Sequence, residues 1–313
     1  MDITLYRYQL PLTHPLTFHN QTIQQREGLL LHWGSSWSEI APLPGFSRET
    51  LAEAEQETIA FLTAFKQGKT IPVIYPSVQF GLDCARRSWP VLKHTPLPPY
   101  LLLQGTPEDI IWSWKEWLYD YPSRVKLKVA RYPMRDELAM IREIIRLAPK
   151  TKLILDANQL WTREEAWTFM SHLDPSRIEY IEDPCATYAD IRAVASHTGI
   201  AVALDEILSA ETNWDFFPQL KGLVLKPTLI GSLDKCQELV KKAKANGVKV
   251  VISSSHESQL GNRLLALLAA EWSPEQAPGL DTLRYFSGSV LDDKQQVDTK
   301  QLQVVWQSQL APS

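Results

Sequence analysis

The chain has 313 residues, 44% of them hydrophobic and 22% charged, which is ordinary globular composition and enough for one large α/β domain plus a smaller one. A formal net charge of −4 and a pI near 6.0 argue against a nucleic-acid binder. Three cysteines, Cys84, Cys185 and Cys236, without CxxC spacing argue against a disulfide framework and fit a reducing cytoplasmic compartment. The first twelve residues lack the apolar core of a signal peptide. No run approaches the ~18 apolar residues of a membrane span. A soluble, cytoplasmic, monomeric protein acting on a small molecule is the expectation.

In chain order, Ile3-Thr4-Leu5-Tyr6-Arg7-Tyr8 alternates as a half-buried strand, with 28–33 as its partner. Ser47 is placed to cap a helix over about 48–65, whose face would carry Leu51, Ile59, Leu62 and Phe65. A second helix is predicted after Pro76, with Ser77 as its cap. Strands followed by helices read as a small α+β domain over residues 1–97.

From residue 98 the pattern becomes strand then helix. Candidate strands are 100–104, 124–129, 152–157, 178–181, 201–205, 222–226, 249–253 and a last one near 280–286. Met134, Leu138, Ile141 and Ile145 repeat at helical spacing, Thr162 and Glu165 have capping-box spacing, and Ser232 opens a helix that Gly247 can close. Eight strands at this interval predict a parallel (β/α)7β barrel of the TIM type over 98–286. An open doubly wound sheet is the competitor, but no Gly-rich phosphate loop follows the first strand. The tail, 287–313, ends in a strand-like Leu302-Gln303-Val304-Val305-Trp306 that would return to the first domain.

A parallel barrel places its chemistry where strands exit. The third predicted strand ends at Asp156, the fourth at Glu182 and the fifth at Asp205, so three consecutive strands deliver a carboxylate at one height. In a water-poor pocket such carboxylates repel one another, and a hard divalent cation such as Mg²⁺ removes the conflict. The second strand adds Lys126-Leu127-Lys128, whose alternation puts both ammonium groups on one face. A buried Lys is costly unless paired or deprotonated. Two readings stand: ion pairs to the carboxylates, or a general base with its pKa lowered by its surroundings. Lys226, ending the sixth strand, admits the same two readings. The seventh ends in Ser253-Ser254-Ser255-His256-Glu257-Ser258, either an anion site before a helix or plain turn chemistry.

Taken in register, these motifs resemble the enolase superfamily and, within it, the o-succinylbenzoate synthase family. Trp37 to Ser47 is similar to that family's capping-domain loop. Lys126-x-Lys128, Asp156-Ala157-Asn158, Ile181-Glu182-Asp183-Pro184-Cys185 and Asp205-Glu206 follow its barrel motifs in order. The stretches from Leu225 to Ser232, from Ile252 to Ser258 and Gly279-Leu280-Asp281-Thr282 are more specific to it. The resemblance implies Asp156, Glu182 and Asp205 as Mg²⁺ ligands, with Mn²⁺ as a substitute. It implies Lys128 as the base that removes the proton α to a substrate carboxylate and then as the acid for the departing hydroxyl. Lys126 would keep the pKa of Lys128 low, and Lys226 would lie against the substrate ring as a cation. Ser254, Ser255 and Asn158 would bind substrate, while Asp183 and Glu206 would orient the ligands from behind. The implied reaction is dehydration of a succinyl-bearing hydroxycyclohexadiene carboxylate to o-succinylbenzoate, in menaquinone or phylloquinone synthesis. Sibling chemistries using the same groups are N-acylamino acid racemisation, dipeptide epimerisation and muconate cycloisomerisation. A non-catalytic barrel is the reading from another class. The 17–25 segment resembles the family's mobile active-site cover, and Gln159-Leu160 matches no assigned position.

Overall fold

The computed structural model describes residues 2–18, 21–89, 98, 100–117, 120–210 and 213–308. In chain order the elements are β1 (Ile3–Phe18), β2 (Gln21–Trp33), β3 (Ser36–Ile40), α1 (Leu51–Lys66) and α2 (Pro76–Arg86). Then come β4 (Leu101–Leu103), α3 (Pro107–Lys115), β5 (Arg124–Lys128), α4 (Met134–Leu147), β6 (Lys152–Asp156) and α5 (Arg163–Met170). Next are β7 (Ile178–Glu182), α6 (Tyr188–Thr198), β8 (Val202–Leu204), α7 (Ile207–Ala210), β9 (Leu220–Leu225) and α8 (Pro227–Ile230). The chain ends with α9 (Leu233–Ala245), β10 (Lys249–Ile252), α10 (Gln259–Trp272) and β11 (Gln303–Gln307). It forms two units: Met1–Leu97 with Leu225–Lys241 and Ile252–Ser313, and Pro98–Val224 with Lys242–Val251.

The first unit is built on an antiparallel sheet in the order β11-β1-β2-β3. The pairing Ile3↔Trp33 through Tyr8↔Gly28 is the one the sequence predicts, and β11 returns to β1 with Leu5↔Trp306. Alternation sends Leu29, Leu31 and Trp33 to one face, where they pack on Phe61, Leu62, Val78 and Leu82 of α1 and α2. Leu30 faces the other way, into a cluster with Tyr8, Leu10, Leu260, Phe286 and Leu291. Each fully buried aliphatic side chain here contributes roughly 1.5–3 kcal/mol.

The caps predicted for α1 and α2 both need correction. Thr50, not Ser47, caps α1, in a capping box with Glu53. The reason is competition: the Ser47 hydroxyl already accepts from the Leu43 N–H at 2.8 Å, closing the preceding turn. Ser77 lies inside α2, after Pro76 has taken the first position, and both its N–H and its hydroxyl donate to Glu49 (2.9 and 2.6 Å). The 17–25 segment is the end of the β1–β2 hairpin, with Leu16↔Ile23 and Thr17↔Thr22 paired; His19 and Asn20 lie outside the described residues. The expected domain boundary near residue 97 also falls outside them.

The second unit carries most of a seven-stranded parallel sheet in the order β10-β9-β8-β7-β6-β5-β4. Each strand neighbours the next in sequence, with a helix or helices between, which is barrel wiring and not that of a doubly wound sheet. Thr162 caps α5 in the predicted box with Glu165, and α4 buries Leu138, Ile141 and Ile144. The fold is a (β/α) barrel of the TIM type with an α+β capping domain. One strand differs: 280–286 is a 3-10 turn at Leu283–Tyr285, and only an isolated parallel bridge, Ser253↔Gly279, stands next to β10. Asp281 and Thr282 favour a turn over extension, which apolar spacing alone did not register. No helix among the described residues is long and apolar enough to cross a membrane.

Candidate active site

The site in the second unit follows from register. Lys128 pairs with Asp156 and Asp156 with Glu182 across β5, β6 and β7, while Glu182 pairs with Ala203, two residues before Asp205. Period-two alternation makes the residue two positions earlier share each side chain's face. Those residues, Ile154, Tyr180 and Ala203, pack with Val224 and Val251 into one buried apolar layer. Gly222 lets β9 approach, since a Cβ there would meet the Ala203 Cβ at 2.9 Å. Asp156, Glu182 and Asp205 thus stand one layer above a dry floor, and all three are buried, at 2, 3 and 6% exposed.

The lysines converge on these carboxylates. Lys126 Nζ is 2.5 Å from Glu182 Oε2 and 2.9 Å from Asp156 Oδ2, and Lys128 Nζ is 2.6 Å from that same Asp156 oxygen. Both lysines therefore form the ion pairs that one sequence reading foresees. Burial alone would lower the Lys126 ammonium, but Asp156 and Glu182 outweigh it and hold its pKa well above the ordinary lysine value. Burial likewise works to raise Asp156, yet Lys126 and Lys128 together hold its carboxyl far below the usual range. Glu182 goes the other way: burial, only partly offset by Lys126 and reinforced by Asp156 and Asp205, pushes it up to about 8.

These values bear on whether a cation fits. The donor set is all oxygen and buried, and the negative charge is crowded enough to drive one carboxyl toward neutrality. An all-oxygen donor set is the chemistry a hard divalent ion prefers. Among the described residues no three metal-ligating side chains close on a common point. Instead the Lys126 ammonium bridges Asp156 and Glu182, a monovalent stand-in for the charge the carboxylates call for.

The other expected residues of this unit gather around the same point. Asn158 accepts from Lys128 Nζ at 2.8 Å through Oδ1 and donates to Glu206 Oε1 at 3.3 Å, so its amide orients the lysine. Asp183 is fully buried and accepts from the Asp205 and Ile207 N–H groups, both at 3.1 Å, and from Gln159 Nε2 at 3.0 Å. Burial first, then Glu206 and Asp205, raise its pKa well above the ordinary value. Gln159, unassigned in the sequence, is thereby a prop for the loop between the proposed ligands. Sequence reading also missed Glu137. Its buried carboxylate accepts from the Ala130, Arg131 and Tyr132 N–H groups at 2.9–3.1 Å and shapes the turn that follows Lys128. The only hint was an acidic residue in the first turn of a helix.

Lys226, Ser254 and Ser255 lie in the first unit. Lys226 directly follows β9, with Nζ 6.0 Å from the Phe46 ring centroid. Thr228 donates to Glu257 Oε1 at 2.6 Å, and the Ser255 N–H donates to Glu257 Oε2 at 2.6 Å, tying the segment after Lys226 to the serine loop. The Ser254 hydroxyl accepts from the His256 N–H at 3.1 Å and pairs with the Thr282 hydroxyl at 2.6 Å. Ser255 Oγ is buried with no partner in the described structure.

Comparison with known proteins bears on identity. Residues 1–89 match the family model of the MenC N-terminal domain, and residues 113–305 match that of the enolase C-terminal domain-like family. The o-succinylbenzoate synthase of Pectobacterium atrosepticum is 37% identical over 98% of this chain and 99% of its own length. That of Pasteurella multocida is 38% identical over 89% of this chain and 88% of its own. Among solved structures, o-succinylbenzoate synthase from Thermosynechococcus elongatus, complexed with Mg in the active site, superposes with a TM-score of 0.71 at 23% identity, covering 92% of this chain and 95% of its own. The L-Ala-D/L-Glu epimerase of Bacillus subtilis gives 0.72 at 19% identity, covering 93% and 92%. The chain belongs to the o-succinylbenzoate synthase family, hydro-lyases within the enolase superfamily.

Proposed function

We propose that the chain dehydrates 2-succinyl-6-hydroxy-2,4-cyclohexadiene-1-carboxylate to o-succinylbenzoate, in menaquinone or phylloquinone synthesis. The observation that carries this reading is the set of three buried carboxylates at adjacent strand exits, with Lys126 and Lys128 beside them. Asp156, Glu182 and Asp205 would hold Mg²⁺, with Mn²⁺ able to replace it. When bound, the cation supplies positive charge to the substrate carboxylate as that group gains electron density.

This chain's own residues do the rest. Lys128, as the free amine, removes the proton α to the carboxylate, giving an enediolate; the resulting ammonium returns that proton to the leaving hydroxyl, so one water is lost on one face. Asn158 Oδ1 holds Lys128 Nζ at 2.8 Å, aimed for both steps. Lys126, paired with both Asp156 and Glu182, stands on the same face of β5 as Lys128 and keeps positive charge beside the carboxylates. Lys226 lies over the ring as a cation, and Ser254 and Ser255 take the succinyl end. Asp183, Gln159 and Glu206 brace the ligand loops. The working protein is a cytoplasmic monomer with domains over 1–97 and 98–286 and a returning segment over 287–313, and it has no nucleic-acid partner.

A second reading, racemisation or epimerisation, would use the same buried carboxylates and lysines. Lys128 and Lys226 would then serve as bases on opposite faces. Assaying the dehydration substrate and an N-acylamino acid side by side in D₂O separates the two. Dehydration is expected to dominate; fast α-deuterium incorporation into the amino acid without dehydration would overturn the proposal.

A further inference from the structure

Arg26, on β2, is 2% exposed. Its Nε donates to the His256 carbonyl at 3.0 Å, Nη1 to the carbonyls of Glu27 (2.8 Å) and Pro42 (2.9 Å), and Nη2 to that of Ala41 (2.6 Å). Four of the five N–H donors of a guanidinium thus end on backbone oxygens. A buried charge answered by dipoles is a poor source of stability compared with an apolar side chain of similar size. What the rigid planar fork provides is geometry.

The two segments it joins matter. His256 sits at φ 57°, left-handed for a residue with a Cβ. Its N–H is tied to Ser254 Oγ and its carbonyl to Arg26, so both of its peptide groups are fixed. Between Ser254 and His256 lies Ser255, whose Oγ is buried without a partner among the described residues. On the other side, Ala41 and Pro42 lead into a turn closed by the Phe46 and Ser47 N–H groups on the Leu43 carbonyl (3.1 and 2.8 Å). That turn presents Phe46 to Lys226.

We propose that Arg26 is a positioning residue for substrate recognition. It touches no substrate, but it fixes the Ser254–His256 loop against the turn over 43–47, so that Ser255 Oγ and the Phe46–Lys226 pair hold one spacing. The role in recognition rests on the reading above, in which Ser254, Ser255 and Lys226 face the substrate.

The test compares wild type with Arg26→Lys and Arg26→Ala, by steady-state dehydration kinetics and by amide hydrogen exchange without substrate. Lysine keeps the charge but cannot span carbonyls on two segments. In R26K, KM is expected to rise about tenfold or more with kcat changed less than about threefold. Exchange should quicken at 41–47 and 253–258 and stay unchanged in the paired residues of β1 and β2. Methylguanidinium should lower the KM of R26A if that variant folds; R26K carries the test if it does not. An unchanged KM with kcat falling in step with the folded fraction, or exchange rising uniformly, would overturn the proposal. If wild type itself fails to dehydrate, the functional reading falls, while the exchange comparison still decides whether Arg26 is the clamp.

Discussion

Gly261 occupies the third position of α10, where alanine would ordinarily stabilise a helix by up to ~1 kcal/mol. Here the sign should reverse. A Cβ at Gly261 would lie 2.4 Å from Glu39 Oε2 and 2.7 Å from the Glu257 Cβ. Glu39 cannot simply swing aside: it is 1% exposed and accepts from the Ser258 N–H (2.9 Å), Ser258 Oγ (2.5 Å), the Gly261 N–H (2.8 Å) and the Tyr8 hydroxyl (2.5 Å). It answers the N-terminal donors of α10 that the Ser258 cap leaves over. Moving Oε2 away gives up its two bonds, and a hydrogen bond to a charged group contributes about 1.5–3 kcal/mol. Against the helix gain, Gly261→Ala should cost roughly 2–5 kcal/mol. At about 2 °C per kcal/mol for a chain this long, Tm should fall by roughly 4–10 °C, read by circular dichroism or calorimetry. A Tm that holds or rises by a degree or two would show that Glu39 is not the rigid anchor described here.

Three further outcomes follow from the same geometry. Lys128→Ala should lower kcat/KM by at least about a thousandfold, within the upper range for a general base; unchanged turnover of the folded variant would remove Lys128 as the base. Asp183→Ala frees the Asp205 and Ile207 N–H groups and should weaken Mg²⁺ binding about 10–100-fold by calorimetric titration, with no loss of any direct ligand. Burial pushes the Cys185 and Cys236 thiols up to about 12 and raises Cys84 as well, and a raised thiol pKa means less thiolate at any given pH. At pH 8 the native protein should therefore leave an aromatic disulfide reagent nearly untouched and release three equivalents only after denaturation.

Much of the barrel was legible because its signals are local and repeated. Strand exits at Asp156 and Glu182 could be placed from apolar runs alone, and register then brings the carboxylates side by side. What the sequence hid were bonds between distant segments. Glu39 and Gly261 are 222 positions apart, and Arg26 and His256 are 230 apart; no periodicity links such pairs. Capping failed where a side chain had a stronger long-range claim, as Ser77 has on Glu49. The pairing of the lysines was hidden for another reason. Spacing puts Lys126 and Lys128 on one face, but only the observed distances show their ammonium groups sharing a single Asp156 oxygen.

In the proposed reaction a divalent cation held by Asp156, Glu182 and Asp205 would work with Lys128 to dehydrate the cyclohexadiene carboxylate. Incubating the protein with that substrate and Mg²⁺, and following the product by mass spectrometry, tests it directly. The expected product is lighter by one water and co-elutes with o-succinylbenzoate, its formation stopped by a chelator and restored by excess Mg²⁺. Product formation that is indifferent to the chelator, or none at all from a folded, Mg²⁺-loaded protein, would contradict it.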